Sequence, residues 1–154
     1  MNKRFQEILD KLPGYMDKLN NSKLYDKSEA QQFPDRGIYV FFENGKPLYV
    51  GRTDRMEERV KEHGKRSSRH NSATFAFILA KKKAKKIPLD IDLKQKRGVL
   101  ERDPAFRPIY DEMKERVSKM QIKVVKIQNP LEQTFFEVYA ALELKTPHNE
   151  WKNH

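Results

Sequence analysis

The chain contains no cysteine in its 154 residues. That excludes disulfides, thiolate zinc sites and a cysteine nucleophile, and it is compatible with a reducing, cytoplasmic setting. Long apolar runs are also missing. Stretches such as FAFILA at 75–80 are short, and the opening MNKRFQEILDKL is interrupted by charges every few residues. Neither a membrane span nor a secretory leader is therefore expected, and no membrane partner. No internal repeat is visible, and no histidine-rich set of the kind zinc favours. The length suits one domain over 1–154, able to bury roughly 68 to 70 per cent of the surface its unfolded chain exposes.

Acidic residues are in the minority. Lys and Arg number 32 against 22 Asp and Glu, for a formal charge of +10 and a pI near 9.7. Such a balance favours polyanionic partners through counterion release, although it also serves solubility. The excess is uneven: Lys81 to Arg97 holds eight bases against two acids, and from residue 129 onward four acids face two bases. KKKAKK at 81–86 reads either as a track for a nucleic-acid backbone, through Lys81, Lys82 and Lys83, or as the solvated end of a helix.

Periodicity supplies the elements. Phe5, Ile8, Leu9, Leu12 and Leu19 predict an amphipathic helix broken at Pro13-Gly14, with a further turn or two beyond. GIYVFFENGKPLYVG at 37–51 predicts two strands about an Asn-Gly turn. A helix over about 55–63 follows, capped by Thr53 or Asp54. A second helix, capped by Asn71 or Ser72, runs through ATFAFILAKKKAKK and stops at Pro88. Residues 88–102 read as irregular. Asp103-Pro104 opens a helix to about 119, with Pro108 tolerated or shifting its start to Ile109. QIKVVKIQ is a strand by its β-branched residues, and Asn129-Pro130 starts a last helix to about Lys145. The fold class expected is α+β: a small three-stranded, mainly antiparallel sheet flanked by helices. Residues 1–33 form a helical N-terminal extension, and about 81–120 a basic, partly helical insert.

Gly37-Ile38-Tyr39, nine residues, Tyr49-Val50-Gly51, then Arg59 and His63, with Glu137 and Asn149 in the last segments, form a spaced set. This pattern resembles the GIY-YIG endonuclease family over 37–63 and 121–149. It departs at His148, where similar tails often carry an aromatic, and in the basic insert, which no family core requires. The resemblance implies hydrolysis of DNA phosphodiesters with Mg²⁺ or Mn²⁺. Tyr39 would be the general base, Tyr49 would hold the water or the base, and Arg59 would bind a nonbridging oxygen. Glu137 would hold the metal near the leaving group, and Asn149 would fix a backbone or phosphate contact.

From the residues alone, Arg55, Arg59 and His63 form one helical stripe beside the apolar pair Met56 and Val60. A solvated arginine is the plainer reading of Arg59, and only the family spacing reverses it. Glu137 is flanked along its helix by Gln133, Thr134, Ala140 and Ala141, leaving room for a metal, water or phosphate. One carboxylate with waters and phosphate oxygens suits Mg²⁺. A free phenol has a pKa of about 10, so a tyrosine base needs nearby cations, from Arg59, His63 or Arg52. Arg52, Arg55, Arg69 and His70 are further nucleic-acid phosphate candidates, although a capping loop explains the 71–72 end of SSRHNS equally well.

Register governs the tyrosines. A two-residue turn at Asn44-Gly45 would set Tyr39 against Val50 and put the two tyrosines on opposite faces. A three-residue loop, Glu43 to Gly45 with a left-handed glycine at a bulge, would pair Tyr39 with Tyr49. A shared site requires the second form, and that is the expectation. The rival reading is a non-cleaving nucleic-acid-binding protein on the same fold; action on RNA or branched DNA is a third. A protein partner for targeting fits a chain with no obvious target-choosing domain.

Overall fold

The computed structural model describes residues 1–152. The fold is α+β, with a four-stranded open sheet in which every pairing is antiparallel. The chain divides into two compact units: Met1–Glu57 together with the chain from Gln121 onward, and Glu58–Met120.

In the first unit β1 (Tyr25–Asp26), β2 (Gly37–Glu43), β3 (Lys46–Thr53) and β4 (Gln121–Lys126) lie in the order β1-β4-β2-β3. The two-residue β1 falls within the 1–33 extension expected to be helical, and it makes the expected three-stranded sheet four-stranded. Being central, β2 is buried on both faces from Gly37 to Phe41, which is why its sequence is an unbroken apolar run. Ile38, Val40, Val50, Val125 and Ile127 pack against α1 (Lys3–Asn20) and α6 (Pro130–Leu144).

The expected break at Pro13 does not occur: α1 is continuous through it. The buried stripe Ile8, Leu12, Met16 and Leu19 runs the length of the helix, so packing outweighs the lost backbone bond. Tyr15 Oη and Lys11 Nζ both donate to Glu132, in the first turn of α6, at 2.5 Å each. Burial and this hydrogen bond push the Tyr15 phenol up to about 12. Asn129 caps α6 as read, its Oδ1 accepting from the backbone of Leu131 and Glu132.

The hairpin corrects the expected register. Asn44 and Gly45 both have positive φ, 52° and 77°, and Glu43 pairs with Lys46, so the turn is the two-residue one. The bulge lies further along. Phe42 opposes Pro47, but Phe41 opposes Tyr49 and Tyr39 opposes Gly51, leaving Leu48 as the extra residue. Tyr39 and Tyr49 therefore share a face as a common site requires, as diagonal neighbours instead of a facing pair. Pro47 is tolerated because β3 is an edge strand.

The second unit holds most of α2 (Met56–Gly64), then α3 (Thr74–Ala84), the one-turn α4 (Arg97–Leu100) and α5 (Arg107–Ser118). The α3 helix is buried without a break from Phe75 to Ala80, and its N-cap is Ala73, with no side-chain cap from Asn71 or Ser72. Phe77 meets Phe106 and Tyr110 edge-on at 5.4 and 5.5 Å. Within 88–102, read as irregular, α4 forms one turn. Asp103 caps a turn at Ala105 ahead of α5, which takes Pro108 within its first turn.

A Cβ at Gly51 would lie 2.1 Å from Cζ of Tyr39. Gly51→Ala is expected to lower stability in urea melts by about 1–3 kcal/mol. Gly14→Ala, in α1 with nothing within 4 Å of its Cβ, is expected to raise it by about 0.5–1 kcal/mol.

Candidate active site

Within the first unit, β3 gathers the residues that carry chemistry. Its side chains alternate, and the bulge sets the phase: Tyr49 and Gly51 share the face of Tyr39 and Phe41, whereas Val50 and Arg52 share the face of Ile38 and Val40. The ring of Tyr39 lies over Gly51, leaving no space for a side chain there. Tyr39, expected to be the general base, is only 1 % exposed. Tyr49 is half-buried, so of the two it is Tyr49 that reaches solvent.

On the other face Arg52 Nε donates to Glu137 Oε2 at 3.0 Å. The Glu137 side chain is 20 % exposed. Burial pushes its carboxyl above the ordinary range, and the charge and hydrogen bond of Arg52 pull it partway back. Arg52, expected among phosphate-binding residues, is thus the counter-ion of the candidate metal ligand. A lone carboxylate with one oxygen engaged and the other left suits a hydrated Mg²⁺, which takes most of its ligands from water and phosphate. No group of three or more potential metal-ligating side chains occurs among the described residues.

Asn149 is committed to the backbone. Its Oδ1 accepts from Val50 N at 2.9 Å and its Nδ2 donates to Val50 O at 2.8 Å. Thr146 Oγ1 donates to the same Oδ1, and His148 N donates to the carbonyl of Leu48, the bulged residue. The tail thus covers the outer edge of β3 around Tyr49, meeting groups that would otherwise seek another strand. Of the two contacts expected for Asn149, the structure contains the backbone one.

No family model, curated protein or solved structure matches this chain. The site therefore rests on its own geometry.

The remaining expected residues divide between the units. Arg55 is exposed and precedes α2, so the expected helical stripe begins one residue outside the helix. In the second unit Arg59 Nη1 donates to Ser72 O at 2.8 Å and lies 3.4 Å from Asn71 O and Glu62 Oε2. Its guanidinium thus ties α2 to the loop before α3. His63 is fully buried, and burial, then the Arg59 charge, holds its pKa well below the ordinary value. It is uncharged near neutrality, so the expected cation at His63 is absent: burial has removed the charge.

Arg69 and His70 converge on Glu101, which sequence reasoning missed within an irregular stretch. Arg69 Nε and the His70 backbone N–H donate to it at 3.0 and 2.8 Å, and His70 Nδ1 lies 3.0 Å away. Its side chain is 3 % exposed. Burial alone would raise its pKa, but the hydrogen bonds from His70 and Arg69 outweigh this and hold it below its ordinary value. His70 is therefore fixed to Glu101, while Arg69 remains largely exposed. Lys81, Lys82 and Lys83 are half-buried on α3, and Lys83 pairs with Glu112 at 2.6 Å, so this end of KKKAKK is not a freely solvated track.

Two outcomes follow. Asn149→Ala removes both bonds to Val50 and is expected to cost about 1–3 kcal/mol, with faster hydrogen exchange at the Val50 amide measured by NMR. Because the folded pKa of Glu101 is depressed, its contribution is present above its ordinary value near 4.5 and is lost as pH falls through the lower folded value. Glu101→Gln is expected to lower the melting temperature at pH 7, with the gap to wild type narrowing in acid.

Proposed function

We propose that the chain is a divalent-metal-dependent endonuclease of the GIY-YIG type that hydrolyses DNA phosphodiester bonds. The observation carrying this reading is the phase of β3: Tyr49 stands beside Tyr39 on one face, and three residues further along the same edge strand Arg52 pairs with Glu137 on the other.

Hydrolysis needs a deprotonated water, neutralised charge at phosphorus and a stabilised leaving oxygen. Tyr49 takes the water-facing role because its ring is the more accessible. Tyr39, held over Gly51, fixes the position of its neighbour. Glu137 would hold Mg²⁺ or Mn²⁺, which supplies Lewis acidity at the phosphate and leaving oxygen. Arg52 offsets part of the desolvation that opposes ionisation of Glu137 and offers its remaining N–H groups to phosphate oxygens. A protein partner for targeting remains part of this reading.

A second reading, a nucleic-acid-binding protein that does not cut, is favoured by one observation: Arg52 already occupies an oxygen of Glu137 and neutralises it. Incubation with supercoiled, branched and RNA substrates, with Mg²⁺ or chelator, separates the two. Glu137→Ala is expected to lower nicking at least a hundredfold with little change in DNA affinity, and chelator to do the same to wild type. Tyr49→Phe is expected to slow the chemical step more than Tyr39→Phe. Nicking by Glu137→Ala at the wild-type rate would defeat the mechanism, and tight binding without cutting by wild type would favour the second reading.

A further inference from the structure

The charge of the chain is confined to one unit. Glu58–Met120 contains 18 of the 32 basic residues and 9 of the 22 acidic ones, a net +9 out of +10. The first unit, with the remaining 14 bases and 13 acids, is close to neutral. A polyanion is therefore attracted chiefly to the unit that does not carry Tyr39, Tyr49 or Glu137.

Within that unit a cavity of about 320 Å³ opens between the 67–69 loop, the end of α4 and the start of α5. It is lined by Ser67, Ser68, Arg69, Arg102 and Arg107, with Tyr110 and Glu101 behind them. Each guanidinium is held along its Nε edge. Arg69 Nε and Nη2 rest on Glu101, Arg102 Nε donates to Gly98 O at 2.9 Å, and Arg107 Nε approaches Asp111 at 3.2 Å. The terminal nitrogens of Arg102 and Arg107 are left for a ligand. The loop itself is fixed from below, because the buried Lys114 donates through Nζ to the carbonyls of Arg66 and Ser68 and pairs with Asp111. Three arginines against one lining carboxylate, held before any ligand arrives, suit an oxyanion that accepts from several planar donors. A wider neighbouring cleft shares Arg102 and Arg107 and adds Arg66 together with Asp111, Glu112 and Glu115, so what it adds is net negative and the cationic approach is from the Arg69 side.

We propose that this cavity binds a phosphate of the nucleic-acid backbone, so that the second unit grips the substrate strand through Arg69, Arg102 and Arg107. The proposal deepens the nuclease reading and rests on it for the substrate, but it concerns affinity and not cleavage.

The test is fluorescence anisotropy of a labelled 20-base-pair DNA duplex over a salt series. Wild type is compared with the Arg102→Ala/Arg107→Ala double variant and with Lys85→Ala/Lys86→Ala, which removes the same charge from exposed lysines of the same unit. Matching circular-dichroism melts establish that all three are folded. The arginine variant is expected to raise Kd about tenfold or more and to lower the salt slope by about 2, with a smaller change in the lysine variant. Equal effects from both would reduce the cavity to general charge and overturn the proposal. In a second arm, inorganic phosphate is titrated while the melting temperature is followed. Phosphate protection of wild type with DNA affinity untouched by the arginine variant would assign the site to a free phosphate ligand and overturn the backbone assignment. Nicking is scored on the same samples. Cutting by wild type with unchanged binding in the arginine variant defeats this inference alone, whereas arginine-dependent binding without cutting defeats the nuclease reading alone.

Discussion

A strand alternates its side chains between two faces, so one extra residue in β3 decides what everything beyond it presents. Without Leu48 as a bulge, the two-residue turn would place Tyr39 opposite Val50 and send Tyr49 and Gly51 to the other face. Val50 would then leave the core it shares with Ile38 and Phe136, and Arg52 would turn away from Glu137. The bulge therefore sets the packing and the chemistry together. Gly51 follows from the same phase: once it faces Tyr39, the phenol ring fills the space a side chain would need.

The charged groups are governed by burial more than by sequence neighbours. Glu137 sits where desolvation opposes its ionisation and one arginine opposes that effect. At His63 burial prevails and the ring is held neutral, whereas Glu101 has enough donors around it to stay ionised although it is scarcely exposed. The three groups show three settlements of one competition, between the loss of water and the hydrogen bonds that replace it.

Much of the architecture was legible in the chain. The helical spacing of Ile8, Leu12 and Leu19, the β-branched run at 122–127 and the Asn129-Pro130 start all describe local preferences, and they hold in the fold. The break at Pro13 was misread because the proline penalty is local while the packing that overcomes it is not. The register was misread because a shared site was held to require a three-residue loop at Gly45, whereas the bulge that brings the tyrosines to one face lies at Leu48, where no residue type announces it. Within the candidate site, Tyr39, Tyr49, Arg52 and Glu137 could be named in advance, but not the 3.0 Å pairing of Arg52 with Glu137 across 85 positions. Glu101 was hidden by an irregular stretch, since a buried carboxylate in a segment without period gives no signal until its partners at 69 and 70 are seen beside it.

The grip of Asn149 on Val50 spans 99 positions of the chain. Synthesis runs from the N-terminus, so β3 emerges and can pair with β2 long before either Glu137 or Asn149 exists. During that interval the sheet has an open margin at Leu48 and Val50 and no carboxylate partner for Arg52. The order of translation thus delays assembly: the hairpin with its two tyrosines forms from local contacts, and its completion waits for partners 85 and 99 positions further along.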